Sequence, residues 1–454
     1  MPELAEVETV RRVLKTELIG LTITKVDLLY NNIFENTEEL PNLINNTFID
    51  IKRKGKYLIF CLKKGFLLSH LRMEGKYFYV LPDYPLNKHM HVIFYLDNGY
   101  KLIYQDVRKF GRMHYFDSLE DLEKSLDLGP DANEALPYLD SLYEKLKASK
   151  TSLKNLLLDQ SFIAGLGNIY VDEVLYAAKL LPNMPSSLAT KDDLERILKA
   201  SEVILNEAIK NKGTTIRSYT SSLGVTGNYQ NFLKVHTKDL CPLGHKVITY
   251  KVGGRTSYVC PVCQTNFSYV IGLTGSIATG KTNVLNTLAS YGFPVLDSDK
   301  LVKEAYNDPN ILAKIKDAFN TTDKKEIASI IFHDATKKQK LEEIIHPYVI
   351  SRLKEGIAKN KLVVLDIPLL FEARLEYLVN TIVCCYIPKE EEIKRLMARD
   401  NISYDYALAK INSQMDIELK KEKSNYIIDT SGTFEETKKK IDEVVKELIY
   451  GIYS

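Results

Sequence analysis

The chain opens Met1-Pro2-Glu3, and removal of the initiator methionine exposes the secondary amine of Pro2. An α-amino group has a pKa of about 7.7–8.0, so a useful fraction is unprotonated and nucleophilic at neutral pH, whereas a lysine amine needs a large shift. A free N-terminal proline is therefore a ready Schiff-base former. Glu3 beside it can protonate a leaving or ring oxygen. Far along the chain, GSIATGKT (275–282) lies between an apolar strand-like run, YVIGLT, and a helix-like run, NVLNTLASYG. That context is what a phosphate-binding P-loop requires. Backbone amides from Gly275 through Ala278, Thr279 and Gly280 into Asn283 would wrap ATP phosphates, Lys281 would reach the β- and γ-oxygens, and Thr282 would hold Mg²⁺.

A third constellation lies between these two. CPLGH (241–245) and CPVC (260–263) bring Cys241, His245, Cys260 and Cys263 into the spacing of a Cys₃His zinc site. A ribbon over 233–267 is too short to bury a core, so metal is the economical source of its stability, with a metal-free ribbon as the alternative. Cys61, Cys384 and Cys385 fall in strand-like apolar runs and read as buried bystanders.

The elements that position these residues follow from periodicity. LAEVETVRRVLKTELI keeps apolar residues at helical spacing and stops at Gly20. Short alternating segments then run from about 20 to 118 and predict a β-sandwich. From about 119 to 212 the pattern is helical, and SYTSSLGVTGNYQ after it reads as a mobile loop. At 269 strand, glycine loop and helix begin an alternation that reaches 454, which predicts α/β architecture with a parallel sheet.

Composition sets outer bounds. The 454 residues carry 61 Lys+Arg against 59 Asp+Glu, a formal charge of +2. Residues 201–267 hold eight basic against three acidic residues, and 51–76 hold eight against one, so two basic stretches could face a polyanion or simply be solvated. No apolar run approaches the ~18 residues of a membrane span, and the acidic start (Glu3, Glu6, Glu8) is unlike a signal peptide, so a cytoplasmic protein without a membrane partner is expected.

Residues 2–266 resemble the formamidopyrimidine-DNA glycosylase family, whose opening PELPEVETVRR is matched by PELAEVETVRR with Ala5 in place of proline. GKYL (55–58), HLRMEGKY (70–77), KHMHV (88–92), DVRKFG (106–111) and GLGNIYVDEVLYAAKLLP (165–182) follow in the family's order, with Met90 where aspartate is usual. The resemblance implies that Pro2 is the nucleophile, Glu3 an acid, Lys56 a general acid/base and Arg255 the finger arginine of the second elimination. It implies DNA contacts at His70, His89, Lys150 and Asn168, with the Asn168 amide and the helix after it presented to a phosphate. Arg108 would face the orphaned cytosine, while Met73 and Phe110 enter the space an extruded base leaves. The family usually carries two CxxC pairs, and His245 stands in for the missing cysteine. The implied substrate is double-stranded DNA bearing an oxidised purine, 8-oxoguanine or formamidopyrimidine, opposite cytosine.

Residues 269–454 are similar to dephospho-coenzyme A kinases: GLTGSIATGKT stands for GLTGGIGSGKS, followed by PVLDSDKLV, IIHPYV, VVLDIPLLFE, RLMARD and NYIIDTSGT. By that resemblance Asp299 is the candidate base for the 3′-hydroxyl of dephospho-CoA, Asp297 its neighbour, and Asp366 a holder of Mg²⁺ waters. Arg395 and Arg399, four apart on one helix face, could clamp ATP or form surface salt bridges. Ala278, Ala335 and Lys410 depart from the pattern.

The expected organisation is multidomain, α+β then α/β: a β-sandwich with the catalytic N-terminus (1–133), a helix-two-turns-helix domain (134–232), a zinc ribbon (233–267) and a P-loop kinase (268–454). The expected partners are DNA, ATP and dephospho-CoA, with one structural Zn²⁺, Mg²⁺ accompanying ATP, and a monomeric state. The alternative is a non-catalytic lesion-binding module joined to a different small-molecule kinase.

Overall fold

The first helix, Leu4–Leu18, forms where the periodicity places it. Glu3 caps it, with the Glu6 side chain reaching back to the Glu3 N–H at 2.9 Å. It ends before Gly20, whose φ of +87° suits a residue without Cβ. A computed structural model describes residues 2–214 and 227–453. The expected mobile loop lies outside the described residues as far as Thr226. Two compact units emerge: residues up to Lys238 with Thr249–Val259, and Asp239–Ile248 with Cys260–Ile452.

In the first unit eight strands form a ladder: β1 (Thr22–Leu28), β2 (Asn46–Lys54), β3 (Tyr57–Leu62), β4 (Phe66–His70), β5 (Lys76–Val80), β6 (Met90–Leu96), β7 (Lys101–Gln105) and β8 (Arg112–Phe116). Their order is β5-β7-β6-β1-β2-β3-β4-β8, every pairing antiparallel. β1 and β2 pair at only Thr22↔Thr47 and Ile23↔Asn46, which lets the ladder fold over. Phe60 on β3 consequently meets Tyr77 on β5 at 5.4 Å between ring centroids, although the two strands are far apart in the ladder. The enclosed core includes Val7, Leu14, Phe48, Phe94 and Tyr104, so the expected sandwich is present.

A second core joins the helices Leu139–Ala148, Leu153–Leu158, Asn168–Ala178 and Lys191–Lys210 to Leu4 and Ala5 of the first helix. The start of the chain is thereby pinned between sheet and helices. A hairpin of β9 (Ile248–Val252) and β10 (Arg255–Val259) carries Arg255.

The second unit holds a parallel sheet in the order β12-β13-β11-β14-β15. Its strands are β11 (Tyr269–Thr274), β12 (Val295–Asp297), β13 (Leu362–Asp366), β14 (Thr381–Tyr386) and β15 (Tyr426–Asp429). The central strand β11 is apolar throughout and feeds the P-loop into the Lys281–Ser290 helix, as the sequence predicts. Cys384 and Cys385 are buried on β14, and Cys61 is buried on β3. Among the described residues no helix is long and apolar enough to cross a membrane.

Candidate active sites

The N-terminal site is built on backbone-to-carboxyl contacts. The Glu3 carboxyl accepts hydrogen bonds from the N–H groups of Gly167 at 2.6 Å and Ile169 at 2.9 Å. A Cβ on Gly167 would lie 2.4 Å from Glu3 Cδ, so only glycine admits this approach. Lys56 follows a tight turn at Gly55, whose N–H is held by Asp131 at 2.7 Å, and its ammonium donates to the Leu166 carbonyl at 2.6 Å. Glu3 and Lys56 thus converge on one loop. Burial pushes the Glu3 carboxyl above its ordinary pKa, opposed by Lys56. Burial also lowers the Lys56 ammonium, which the Glu3 charge opposes and Arg255 reinforces. Pro2 itself is buried and Arg255 is exposed.

Asn168 opens the Asn168–Ala178 helix, where the Gly167 and Ile169 amides are taken by the Glu3 carboxyl. Its side chain donates to the Thr256 carbonyl at 3.0 Å, leaving Oδ1 buried without a hydrogen-bond partner. Lys150 is exposed in the connection between Leu139–Ala148 and Leu153–Leu158. Sequence reasoning passed over Lys154, which is fully buried and bonds Asp172 at 2.7 Å, Ser257 Oγ at 2.9 Å and the Thr256 carbonyl at 3.0 Å. The available signal was a lysine inside the otherwise apolar run SLKNLLL.

Met73 is 37% and Phe110 46% exposed, so neither belongs to the core. Buried Asp106 accepts from the N–H groups of Arg108, Phe110 and Gly111, which fixes the loop, and the Arg108 guanidinium sits 4.7 Å from the Phe110 ring centre. His70 is buried edge-on to Tyr57, and burial together with Arg72 lowers its pKa to about 3, so it is neutral. His89 is half-buried, and the Met90 that replaces aspartate is buried.

Cys241, His245, Cys260 and Cys263 place their ligand atoms within 4.8 Å of one another, so this donor set fits a tetrahedral zinc ion. The loops that bear them belong to the second unit. There the Lys246 ammonium meets Asp442 at 2.5 Å, Asp442 accepts from Tyr291 at 2.8 Å, and His245 covers Gly292 so closely that a Cβ would lie 2.3 Å from its ring.

In the P-loop, Gly275 and Gly280 take φ of +155° and +75°, and Ala278 takes +61°. A cavity of 590 Å³ is lined by Ala278, Thr279, Lys281, Thr282, Asp299, Arg395 and Arg399. Asn283 instead lines a smaller pocket with Thr430 and Phe434. Lys281 lies 3.8 Å from Asp366, whose pKa burial raises to about 6, opposed by Lys281 and aided by Asp297 and Asp299. Arg395 and Arg399 serve both readings: they face the cavity while pairing with Glu391 and Asp400. Asp297 caps the helix that carries Asp299. Lys410 pairs with Asp400 at 3.2 Å.

Residues 1–113 match the formamidopyrimidine-DNA glycosylase N-terminal domain, and 128–220 match that family's H2TH domain. The formamidopyrimidine-DNA glycosylase of Oceanobacillus iheyensis is 43% identical over 275 residues, which is 59% of this chain and 98% of that protein. The chain belongs to the formamidopyrimidine-DNA glycosylase family. The family's enzyme from Pelotomaculum thermopropionicum is 41% identical over 58% of this chain and 99% of its own length. Among solved structures, the Lactococcus lactis glycosylase in complex with abasic-site DNA is similar at 38% identity and a TM-score of 0.54. It covers 58% of this chain and 99% of that one. A point variant of the same glycosylase bound to DNA containing Fapy-dG has a TM-score of 0.55 at the same identity and coverage. Beyond the glycosylase portion, residues 269–436 match the dephospho-CoA kinase family model, so the chain also carries a kinase domain.

Proposed function

We propose that one polypeptide performs two reactions: excision of oxidised purines from duplex DNA with strand cleavage, and ATP-dependent phosphorylation of the dephospho-CoA 3′-hydroxyl. The convergence of Glu3 and Lys56 on residues 165–167 carries the first reading. Once Met1 is removed, the Pro2 nitrogen adds to the deoxyribose anomeric carbon as the bond to the damaged base breaks. Glu3, whose pKa burial raises, supplies a proton as the sugar ring opens. The resulting iminium acidifies the neighbouring carbon. Lys56 and Arg255 then assist β- and δ-elimination of the two flanking phosphates, and hydrolysis of the imine frees Pro2. Arg108, Met73 and Phe110 hold open the duplex from which the base is turned. Cys241, His245, Cys260 and Cys263 would hold zinc, which supplies folding energy to the loops.

In the kinase domain, Asp299 accepts the 3′-hydroxyl proton as that oxygen attacks the γ-phosphorus of ATP and ADP departs. Lys281, Arg395 and Arg399 bind the phosphates. The buried oxygen of Asp366 that makes no hydrogen bond and the hydroxyl of Thr282 suit Mg²⁺, which would neutralise phosphate charge.

Borohydride trapping on a duplex with 8-oxoguanine opposite cytosine tests the first reading. A covalent adduct of the intact protein, absent in Pro2→Gly, is expected; failure to trap removes the lyase. Phosphate transfer from ATP to a panel of acceptors tests the second, and a preference for any acceptor other than dephospho-CoA overturns it.

A further inference from the structure

The P-loop serine Ser276 stands where the kinase pattern has glycine, and the residue is 3% exposed. Its hydroxyl touches two groups at once: a carboxyl oxygen of Glu392, itself 0% exposed, and Gln414 Oε1 at 3.2 Å. Gln414 Oε1 also accepts the Ile277 N–H at 3.1 Å, which fixes that atom as the amide oxygen. A serine hydroxyl has one proton. It can donate to Gln414 or to Glu392, and if Glu392 were a carboxylate one of the two contacts would set acceptor against acceptor.

We infer that Glu392 is a protonated positioning residue that donates to Ser276, which donates to Gln414, so that this chain of hydrogen bonds fastens the P-loop to the Lys389–Asp400 helix. Surrounding charges agree. The groups facing Glu392 are Lys389 on its own helix, and Asp416 and Lys420 on the segment after Gln414. Each of those has another partner: Lys389 pairs with Asp416 at 3.5 Å, and Lys420 with Glu372 at 2.9 Å. Neither cation is left over to balance a Glu392 carboxylate, and its second oxygen is buried without a hydrogen bond, which an acid tolerates better than an anion. Burial correspondingly raises its pKa. Ile277 and Ala278 pack against Ile393, Leu396 and Ile411, so apolar contact supports the same junction. Because the Lys389–Asp400 helix also bears Arg395 and Arg399, the connection sets the phosphate-wrapping backbone and the two arginines in fixed relation.

The inference rests on ATP binding at this P-loop and is tested on the full-length protein. ATP affinity, and KM and kcat for ATP, are measured from pH 6 to pH 9 in wild type, Glu392→Gln, Glu392→Leu and Ser276→Ala. A glutamine amide donates at every pH. Glu392→Gln should keep the wild-type KM at pH 6 and lose the rise in KM that wild type shows as its acid ionises. Glu392→Leu should raise KM at all pH values by roughly 3- to 10-fold, the worth of one or two hydrogen bonds, with kcat less affected. Ser276→Ala should behave likewise and covers the case in which the leucine variant fails to fold. A Glu392→Gln defect as large as that of Glu392→Leu, or a Glu392→Leu KM equal to wild type, overturns the inference. Failure of wild type to bind ATP would instead overturn the kinase reading itself.

Discussion

Lys154 and Asp172 form an ion pair at 2.7 Å with side chains 0% and 1% exposed. Asp172 also bonds the His236 ring at 2.8 Å, and Lys154 holds the Thr256 carbonyl and Ser257 hydroxyl beside Arg255. The pair therefore ties the Asn168–Ala178 helix to the hairpin whose arginine faces DNA in the proposed reaction. Lys154→Ala should destabilise the glycosylase unit by about 3–5 kcal/mol, because it strands a buried carboxylate. Urea unfolding followed by tyrosine fluorescence checks this; a loss under about 1 kcal/mol would mean the pair is dispensable.

Glu3 and Pro2 should separate kinetically. Glu3→Gln is expected to abolish base excision while leaving trapping at a preformed abasic site, which needs only the proline nitrogen. Since burial raises the Glu3 pKa, its acid form persists above the ordinary carboxyl range and is depleted as pH rises. Single-turnover excision should fall with increasing pH in wild type while abasic-site trapping does not. Parallel pH profiles would contradict this assignment.

Ala278 sits at φ +61°, in the left-handed region that costs a residue with Cβ about 1–2 kcal/mol. Ala278→Gly relieves that strain but gains unfolded-state entropy, for a net stabilisation of about 0.5 kcal/mol. The same change at Ala289, exposed in the Lys281–Ser290 helix, should cost about 1 kcal/mol. Calorimetry of the two variants should show melting temperatures moving in opposite directions.

His245→Ala removes one of four zinc donors and should lower metal content below one ion per chain, whereas His245→Cys should retain it. Metal analysis after dialysis against a mild chelator distinguishes them. Equal retention by both variants would exclude His245 as a ligand.

Features set by short-range spacing were legible in the sequence. The P-loop between strand and helix, the first helix ending before Gly20 and the clustering of Cys241, His245, Cys260 and Cys263 all stand as the motifs imply. What escaped was long-range or depended on which partner reached a group first. That Glu3, at the opposite end of the glycosylase sequence pattern, takes the amides at the start of the Asn168 helix is not legible from either motif alone. Lys150 and Lys154 are indistinguishable by residue type, and only packing shows that the first is solvated and the second buried. Ser276 and Gln414 are 138 positions apart, and no periodicity announces their meeting.

Where this polypeptide can be cut is constrained by the loops that carry the zinc donors. Severing it just before β11 looks natural from the family boundaries, yet it would strip His245 from Gly292 and Lys246 from Asp442 and Tyr291. A kinase released that way would bare the Tyr291 ring and leave the Asp442 carboxylate with the Tyr291 hydroxyl but without its cation. An excision that keeps residues 239–267 would leave that surface clothed.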